Sequence, residues 1–167
     1  MPAAGSADVA KARALFLDYQ AWLDVDLCFQ GFAEELASLP GSYVPLKGGL
    51  WLARVGSGSH RALEGEVAGV VALRPLAQDG VCELKRLWVR PGFRGLGLGR
   101  RLVETALAAA RAAGHRTMLL DTLPQMADAR RLYDLLGFRE TKPYYHNPVA
   151  GVVYMALALH ESDARSG

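Results

Sequence analysis

Residues 83–102 read ELKRLWVRPGFRGLGLGRRL, a strand, then a glycine-rich loop, then the start of a helix. Gly95, Gly97 and Gly99 remove the Cβ atoms that would hold a bulky anion away from the backbone. The first amides of a helix have no intrahelical partners and lie at the positive end of its dipole. Arg94, Arg100 and Arg101 add positive charge beside them. Together these features favour a phosphate or pyrophosphate at the turn.

On the N-terminal side, residues 81–90 form the strand-like run, entered from the turn Gln78-Asp79-Gly80. Two earlier runs, 50–55 and 66–73, also have strand character, and the turn-like segment GSGSHRALEG (56–65) separates them. Val9, Ala12, Leu15, Phe16, Tyr19, Trp22 and Leu23 recur at helical intervals, with a cap expected near Ser6 and Asp8 in the first turn. A second helical stretch is expected over 29–39, stopped by Pro40-Gly41.

On the C-terminal side, Leu98, Leu102, Val103, Ala106, Leu107 and Ala110 make an apolar helical stripe that Gly114 ends. A short strand over 117–121, a helix over 125–136 ended by Gly137, and strands over 138–141 and 152–159 complete the order. Helices, strands, helix, strand, helix, strands describe an α/β sheet of mixed direction with helices on its faces.

Composition sets limits on function. Nineteen basic against 17 acidic side chains leave a net charge of +2, too balanced to imply nucleic acid or membrane as partner. Cys28 and Cys82 offer neither metal spacing nor a disulfide framework, so no metal and a cytoplasmic location are expected. His60, His115 and His160 form no ligand cluster, and Cys82 reads as a small core residue. The apolar run 152–159 offers a surface for a homodimer.

Three kinds of binder use a turn like 94–101. A P-loop needs Lys-Ser or Lys-Thr after its glycines, and neither is present. A dinucleotide fingerprint would open directly off the strand, and its third glycine would fall on Arg100 or Leu102. The remaining pattern, Q/R-x-x-G-x-G/A, is met at every fixed position by Arg94-Gly95-Leu96-Gly97-Leu98-Gly99. Downstream, Ala129-Arg130-Arg131-Leu132-Tyr133 continues to Gly137-Phe138 and resembles A-x-x-L-Y-x-x-x-G-F.

In these two motifs, in this order, the chain resembles the GCN5-related N-acetyltransferases. The resemblance implies a mostly antiparallel central sheet flanked by helices. It also implies one domain over 1–167, with an acceptor-side helical portion over 1–50 and a cofactor core over 66–159. The implied activity is transfer of an acetyl group from acetyl-CoA directly to a primary amine of a small molecule or peptide. A non-catalytic acyl-CoA-binding module and a nucleotide-dependent oxidoreductase are the competing classes.

The resemblance assigns Leu87, Trp88, Val89, Arg94, Gly95, Leu96, Gly97, Leu98, Gly99, Arg100, Met126 and Ala129 to the cofactor. Met126 departs from the family, many of whose members carry asparagine there. The resemblance also implies a bulge near Trp88 and Val89, which would free a backbone N–H for the developing oxyanion.

An acceptor amine with a pKa of about 10.4 must lose a proton before it attacks. Glu83 is placed by the resemblance as the base, and Tyr133 as the acid that protonates the departing thiolate. For the acceptor, Tyr144, Tyr145 and Asn147 in a proline-braced loop form one expected wall and Phe29 and Gln30 the opposite one. Lys85 and Arg86, unusual in a sheet interior, suit an acceptor carboxylate and hence an amino acid or similar small acid.

Overall fold

The computed structural model describes residues 1–56 and 65–159, with the side chain of Phe29 outside that description. The turn expected over 56–65 therefore lies largely outside the described residues, as do His60 and His160. Helix α1 (Gly5–Leu23) and helix α2 (Phe32–Ser38) precede strands β1 (Gly49–Arg54), β2 (Val67–Pro75) and β3 (Val81–Val89). Helix α3 (Leu98–Ala112), strand β4 (Thr117–Thr122), helix α4 (Ala127–Leu135) and strands β5 (Arg139–Glu140) and β6 (Val153–Ala158) follow.

The six strands form one sheet in the order β1-β2-β3-β4-β6-β5. Every neighbouring pair is antiparallel except β3 and β4. A parallel pair needs a long crossover, which α3 supplies. The expected mostly antiparallel sheet flanked by helices is thus the one observed.

Each sheet face carries its own core. Leu102, Val103, Ala106, Leu107 and Ala110 of α3 pack with Leu84, Leu87, Met118 and Met155 on one face. Ala12, Leu15, Phe16 and Tyr19 of α1 pack with Leu52, Val70, Ala72 and Trp88 on the other. Burying each large aliphatic or aromatic side chain contributes about 1.5–3 kcal/mol, so the two stripes account for the helix positions.

Some local details differ from the sequence expectation. Helix α1 starts before Ser6, because the Asp8 carboxylate reaches back to accept from the Ala4 N–H at 3.0 Å. The helix expected over 29–39 is split into a 3₁₀ turn (Cys28–Gln30) and α2 by Gly31, which adopts φ +67°. The expected strand over 138–141 shrinks to the two residues of β5. Strand β6, within the apolar run 152–159, pairs β4 along its length and meets β5 on its other side at Met155 and Ala156. No helix among the described residues is long and apolar enough to cross a membrane.

Two irregularities in β3 create the site. First, β3 pairs β4 only through Val81, Cys82 and Glu83, so the strands part beyond Leu119. Second, Ala72 opposes Lys85 while Val70 opposes Trp88, so β3 carries one extra residue in that interval. Arg86 sits at this bulge with φ +59°.

Candidate active site

Helix α3 begins at the gap. Gly97 is its N-cap with φ +71°, Gly95 has φ +81°, and no side chain caps the helix. A Cβ built on either glycine would meet no atom within 4 Å, so open space lies over both. The amides of the first turn thus face a cavity that a phosphate could enter. This groove has a volume of about 470 Å³ and is lined by Leu87, Trp88, Val89, Arg94, Gly95, Gly97, Leu98, Gly99, Arg100, Met126 and Ala129. Leu96 is the one residue of the expected cofactor set outside the lining, and its side chain is 66 % exposed.

Arg94 stands at the groove wall. Its Nε donates to the Val89 carbonyl at 3.1 Å, and its guanidinium lies 4.7 Å from the Trp88 ring and 5.0 Å from the Trp22 ring. Arg100, also at the groove, pairs with Glu104 at 2.7 Å. Trp22 also lines the groove, although its helical spacing had placed it only in the α1 stripe.

Helix α4 delivers Tyr133. The Phe138 N–H donates to the Tyr133 carbonyl at 3.0 Å and the Gly137 N–H to the Asp134 carbonyl at 3.1 Å. With Gly137 at φ +94°, these two bonds form a Schellman motif. The Tyr…Gly-Phe spacing of the sequence motif is therefore a helix-ending device. It fixes the ring of Tyr133, which lies 5.6 Å edge-on to Phe138. Among the described residues the Tyr133 hydroxyl makes no hydrogen bond, and the side chain lines a second, smaller cavity. Burial pushes its pKa above the usual phenol value, helped by Tyr19 and Asp121.

This second cavity, about 30 Å³, shares Leu87 and Met126 with the groove, so the two meet there. Met126 precedes α4, and its Sδ accepts a weak bond from the Tyr19 hydroxyl at 3.8 Å. The chamber is otherwise walled by Lys85, Arg86, Gln30, Asp121 and Asn147 with apolar neighbours. The bulge puts Lys85 and Arg86, adjacent in sequence, into one layer of buried charge.

Arg86 donates through Nε and Nη2 to the two oxygens of Glu35, at 3.0 and 2.6 Å, and through Nη1 to Gln30 Oε1 at 2.9 Å. Burial opposes the charge on Arg86, but the Glu35 carboxylate outweighs it and raises the pKa. Burial likewise works against ionised Glu35, yet Arg86 and the Tyr43 hydroxyl, at 2.7 Å, hold its pKa below the usual range. Lys85 Nζ donates to Gln30 Oε1 at 3.3 Å, and burial lowers its pKa against the opposing pull of Glu83.

Glu83 stands outside the chamber lining. Arg74 donates to its Oε2 at 2.7 Å, Tyr144 to its Oε1 at 2.8 Å, and Lys85 lies 3.7 Å away. The carboxylate that does face the chamber is Asp121, on β4 where that strand diverges from β3. Its Oδ2 accepts from the Tyr145 hydroxyl and, at 2.8 Å, from Asn147 Nδ2. No described residue donates to its Oδ1. Tyr144, Tyr145 and Tyr154 pack ring against ring, which braces the loop that carries Asn147.

Comparison with known proteins decides the family. Residues 42–138 match the acetyltransferase (GNAT) family. The chain belongs to that family. It is 40 % identical over 152 residues to an uncharacterized N-acetyltransferase of Schizosaccharomyces pombe, covering 91 % of this chain and 89 % of the relative. It is 34 % identical over 95 residues to the N-acetylaspartate synthetase of Xenopus tropicalis, covering 57 % of this chain and 35 % of that one. A GNAT-family acetyltransferase of Staphylococcus aureus Mu50 superposes with a TM-score of 0.73 at 19 % identity over 96 % of this chain and 98 % of its own. A Salmonella typhimurium protein solved with its cofactor acetyl-CoA superposes with a TM-score of 0.55 at 25 % identity, covering 71 % of this chain and 69 % of that one.

As a GNAT acyltransferase the chain has the fold that its two motifs implied. Gln30 and Asp121 are chamber residues that the motifs do not contain. Among the described residues no group of three His, Cys, Asp or Glu side chains could hold a metal. His115 is buried with Nε2 2.7 Å from the Lys47 carbonyl, and burial pushes the Cys82 thiol up to about 12.

Proposed function

We propose that this acyltransferase moves the acetyl group of acetyl-CoA directly to the primary amine of a small molecule. The observation that carries the reading is the junction at Leu87 and Met126. There a groove that opens over the glycine turn meets a chamber that holds an uncommitted phenol and a carboxylate. Gly95, Gly97 and the first amides of α3 receive the diphosphate, with Arg94 beside them. The bound thioester supplies an electrophilic carbonyl and a sulfur leaving group.

Asp121 takes a proton from the acceptor ammonium and passes it to water. The freed nitrogen bonds to the acetyl carbon as the carbon–sulfur bond breaks. Tyr133 gives its hydroxyl proton to the departing sulfur and recovers one, through water, from the newly acylated nitrogen. The products are an amide, a free thiol and one released proton. Such acid or base assistance is worth about 10²–10⁴-fold each.

The family resemblance had given the base role to Glu83. We assign Glu83 a supporting part, since its oxygens are held by Arg74 and Tyr144 and it reaches the chamber only through Lys85. The name of the N-acetylaspartate synthetases points to an amino-acid amine as the acceptor in those relatives, and the Lys85–Arg86 pair suits the same class here. Two free cysteines, one exposed and one buried, fit a reducing compartment such as the cytoplasm.

Thermal shift with acetyl-CoA, CoA, NAD and ATP, followed by thiol release from acetyl-CoA in the presence of amines, tests the reading. Stabilisation by acetyl-CoA and amine-dependent thiol release are expected. Stabilisation by NAD and not by CoA, or binding of acetyl-CoA without release for any amine, would overturn it.

A further inference from the structure

In the chamber the Gln30 carboxamide lies between two buried basic side chains. Arg86 spends Nε and Nη2 on Glu35, and its remaining terminal nitrogen, Nη1, donates to Gln30 Oε1 at 2.9 Å. Lys85 Nζ donates to that same oxygen at 3.3 Å. A neutral amide oxygen therefore bridges two buried cations. A carboxylate oxygen would be the stronger acceptor at that point, because hydrogen bonds between ionised partners are roughly twice as strong as neutral ones.

The charge count points the same way. Arg74, Lys85 and Arg86 face two carboxylates, Glu83 and Glu35, within one connected layer. One positive charge is left over. Across the chamber Asp121 supplies one negative charge. A molecule with an ammonium at one end and a carboxylate at the other balances both. Gln30 spans the same two ends, since its Nε2 donates at 3.0 Å to the Tyr145 hydroxyl, which in turn donates to Asp121.

Space excludes simultaneous occupancy. The chamber's 30 Å³ is room for one or two waters, so a carboxylate cannot be added beside the Gln30 amide. It must take the amide's place. We propose that Lys85 Nζ and Arg86 Nη1 form the acceptor-carboxylate subsite, and that the Gln30 carboxamide fills it until a free amino acid displaces it. This rests on the N-acetyltransferase reading above and names its acceptor as an amino-acid zwitterion. Asp121 then holds the ammonium end, near Tyr133 and the groove.

Gln30→Glu is the decisive variant because it keeps the side chain's size while supplying an internal carboxylate. Parent and variant are compared with amino acids and their carboxylate-free counterparts, alanine with ethylamine and phenylalanine with phenethylamine. Thiol release gives kcat and KM, and calorimetry gives amino-acid binding to the CoA-loaded protein. The parent should prefer the amino acid, and Gln30→Glu should raise its KM and Kd by about tenfold or more. Gln30→Ala, which vacates the subsite, should lower both, and Lys85→Met should raise them. Acetyl-CoA binding by thermal shift serves as the folding control in every variant.

Acetylation of amines with no preference for the carboxylate, or a Gln30→Glu protein that binds amino acids as the parent does, would overturn the subsite and leave the acetyltransferase reading intact. Absence of release with every amine would instead remove the broader reading.

Discussion

Tyr133 and Phe138 are joined twice, by a backbone hydrogen bond of 3.0 Å from Phe138 to Tyr133 and by an edge-on ring contact at 5.6 Å. The last turn of α4 is thereby closed, and the Tyr133 hydroxyl is left as an uncommitted group at the chamber. Removing that oxygen costs no internal hydrogen bond. Tyr133→Phe should therefore keep its melting temperature and its affinity for acetyl-CoA while kcat falls by about 10²-fold or more. Single-turnover kinetics checks this, and an unchanged chemical step would remove Tyr133 from the acid role.

The same closure depends on Gly137. Its φ of +94° is a conformation that a side chain opposes, although a Cβ there would meet only Leu157 Cδ1 at 3.5 Å. The cost of Gly137→Ala is therefore backbone strain of about 1–2 kcal/mol. That corresponds to a melting temperature lower by roughly 2–8 °C in a chain of this size. Turnover should fall beyond what the lost stability explains, because the closure that aims Tyr133 is loosened.

Arg94 links the phosphate turn to two of the protein's three tryptophans. If its guanidinium turns to a diphosphate, it leaves the rings of Trp22 and Trp88. Tryptophan emission should then change on titration with acetyl-CoA. Arg94→Ala should abolish most of that change and raise Kd by about tenfold, the loss of one charge-assisted hydrogen bond. Its melting temperature without acetyl-CoA should stay near the parent's, as the side chain is exposed.

Acid stability should follow Glu35. Its folded-state pKa lies below the unfolded value of about 4.3, so the folded state binds fewer protons in that interval. The resulting stabilisation is present above the unfolded value and is lost as pH falls through the lower folded one. Glu35→Gln should cost about 3–5 kcal/mol at neutral pH, because it leaves Arg86 buried without its counter-charge. Its melting temperature should then decline less than the parent's between about pH 5 and 3. Parallel acid limbs for the two proteins would contradict this assignment.

What could be read from the sequence was local. The α3 stripe, the glycine cradle and the closure at Gly137 each involve residues within a few positions of one another, where spacing alone carries the geometry. Asp121 could not be found that way, because its setting combines β4 with Tyr145 and Asn147 from a loop that follows α4. Nor could the partner of Glu83. Arg74 reaches it because the β2–β3 register sets those two residues opposite each other, and no short motif encodes register. Gln30 was legible as a wall residue beside Phe29, but its partners were not, because Lys85, Arg86 and Tyr145 lie far from it in sequence and Gly31 turns the chain that brings it to them.

The extra residue at Arg86 acts as a change of phase along β3. Before it, the odd-numbered Glu83 and Lys85 belong to the charged layer and the even-numbered Cys82 and Leu84 to the α3 core; after it, Trp88 lies on the α1 side and Leu87 on the α3 side. The content of the chamber therefore depends on strand length as much as on residue identity. Deleting one residue ahead of the bulge would exchange the two sets, offering apolar groups to the acceptor and pushing charge into the α3 core. Relatives whose strands differ in length at this point can thus present different floors to their substrates with little change in composition, and alignments there should be anchored on the bulge before side chains are compared.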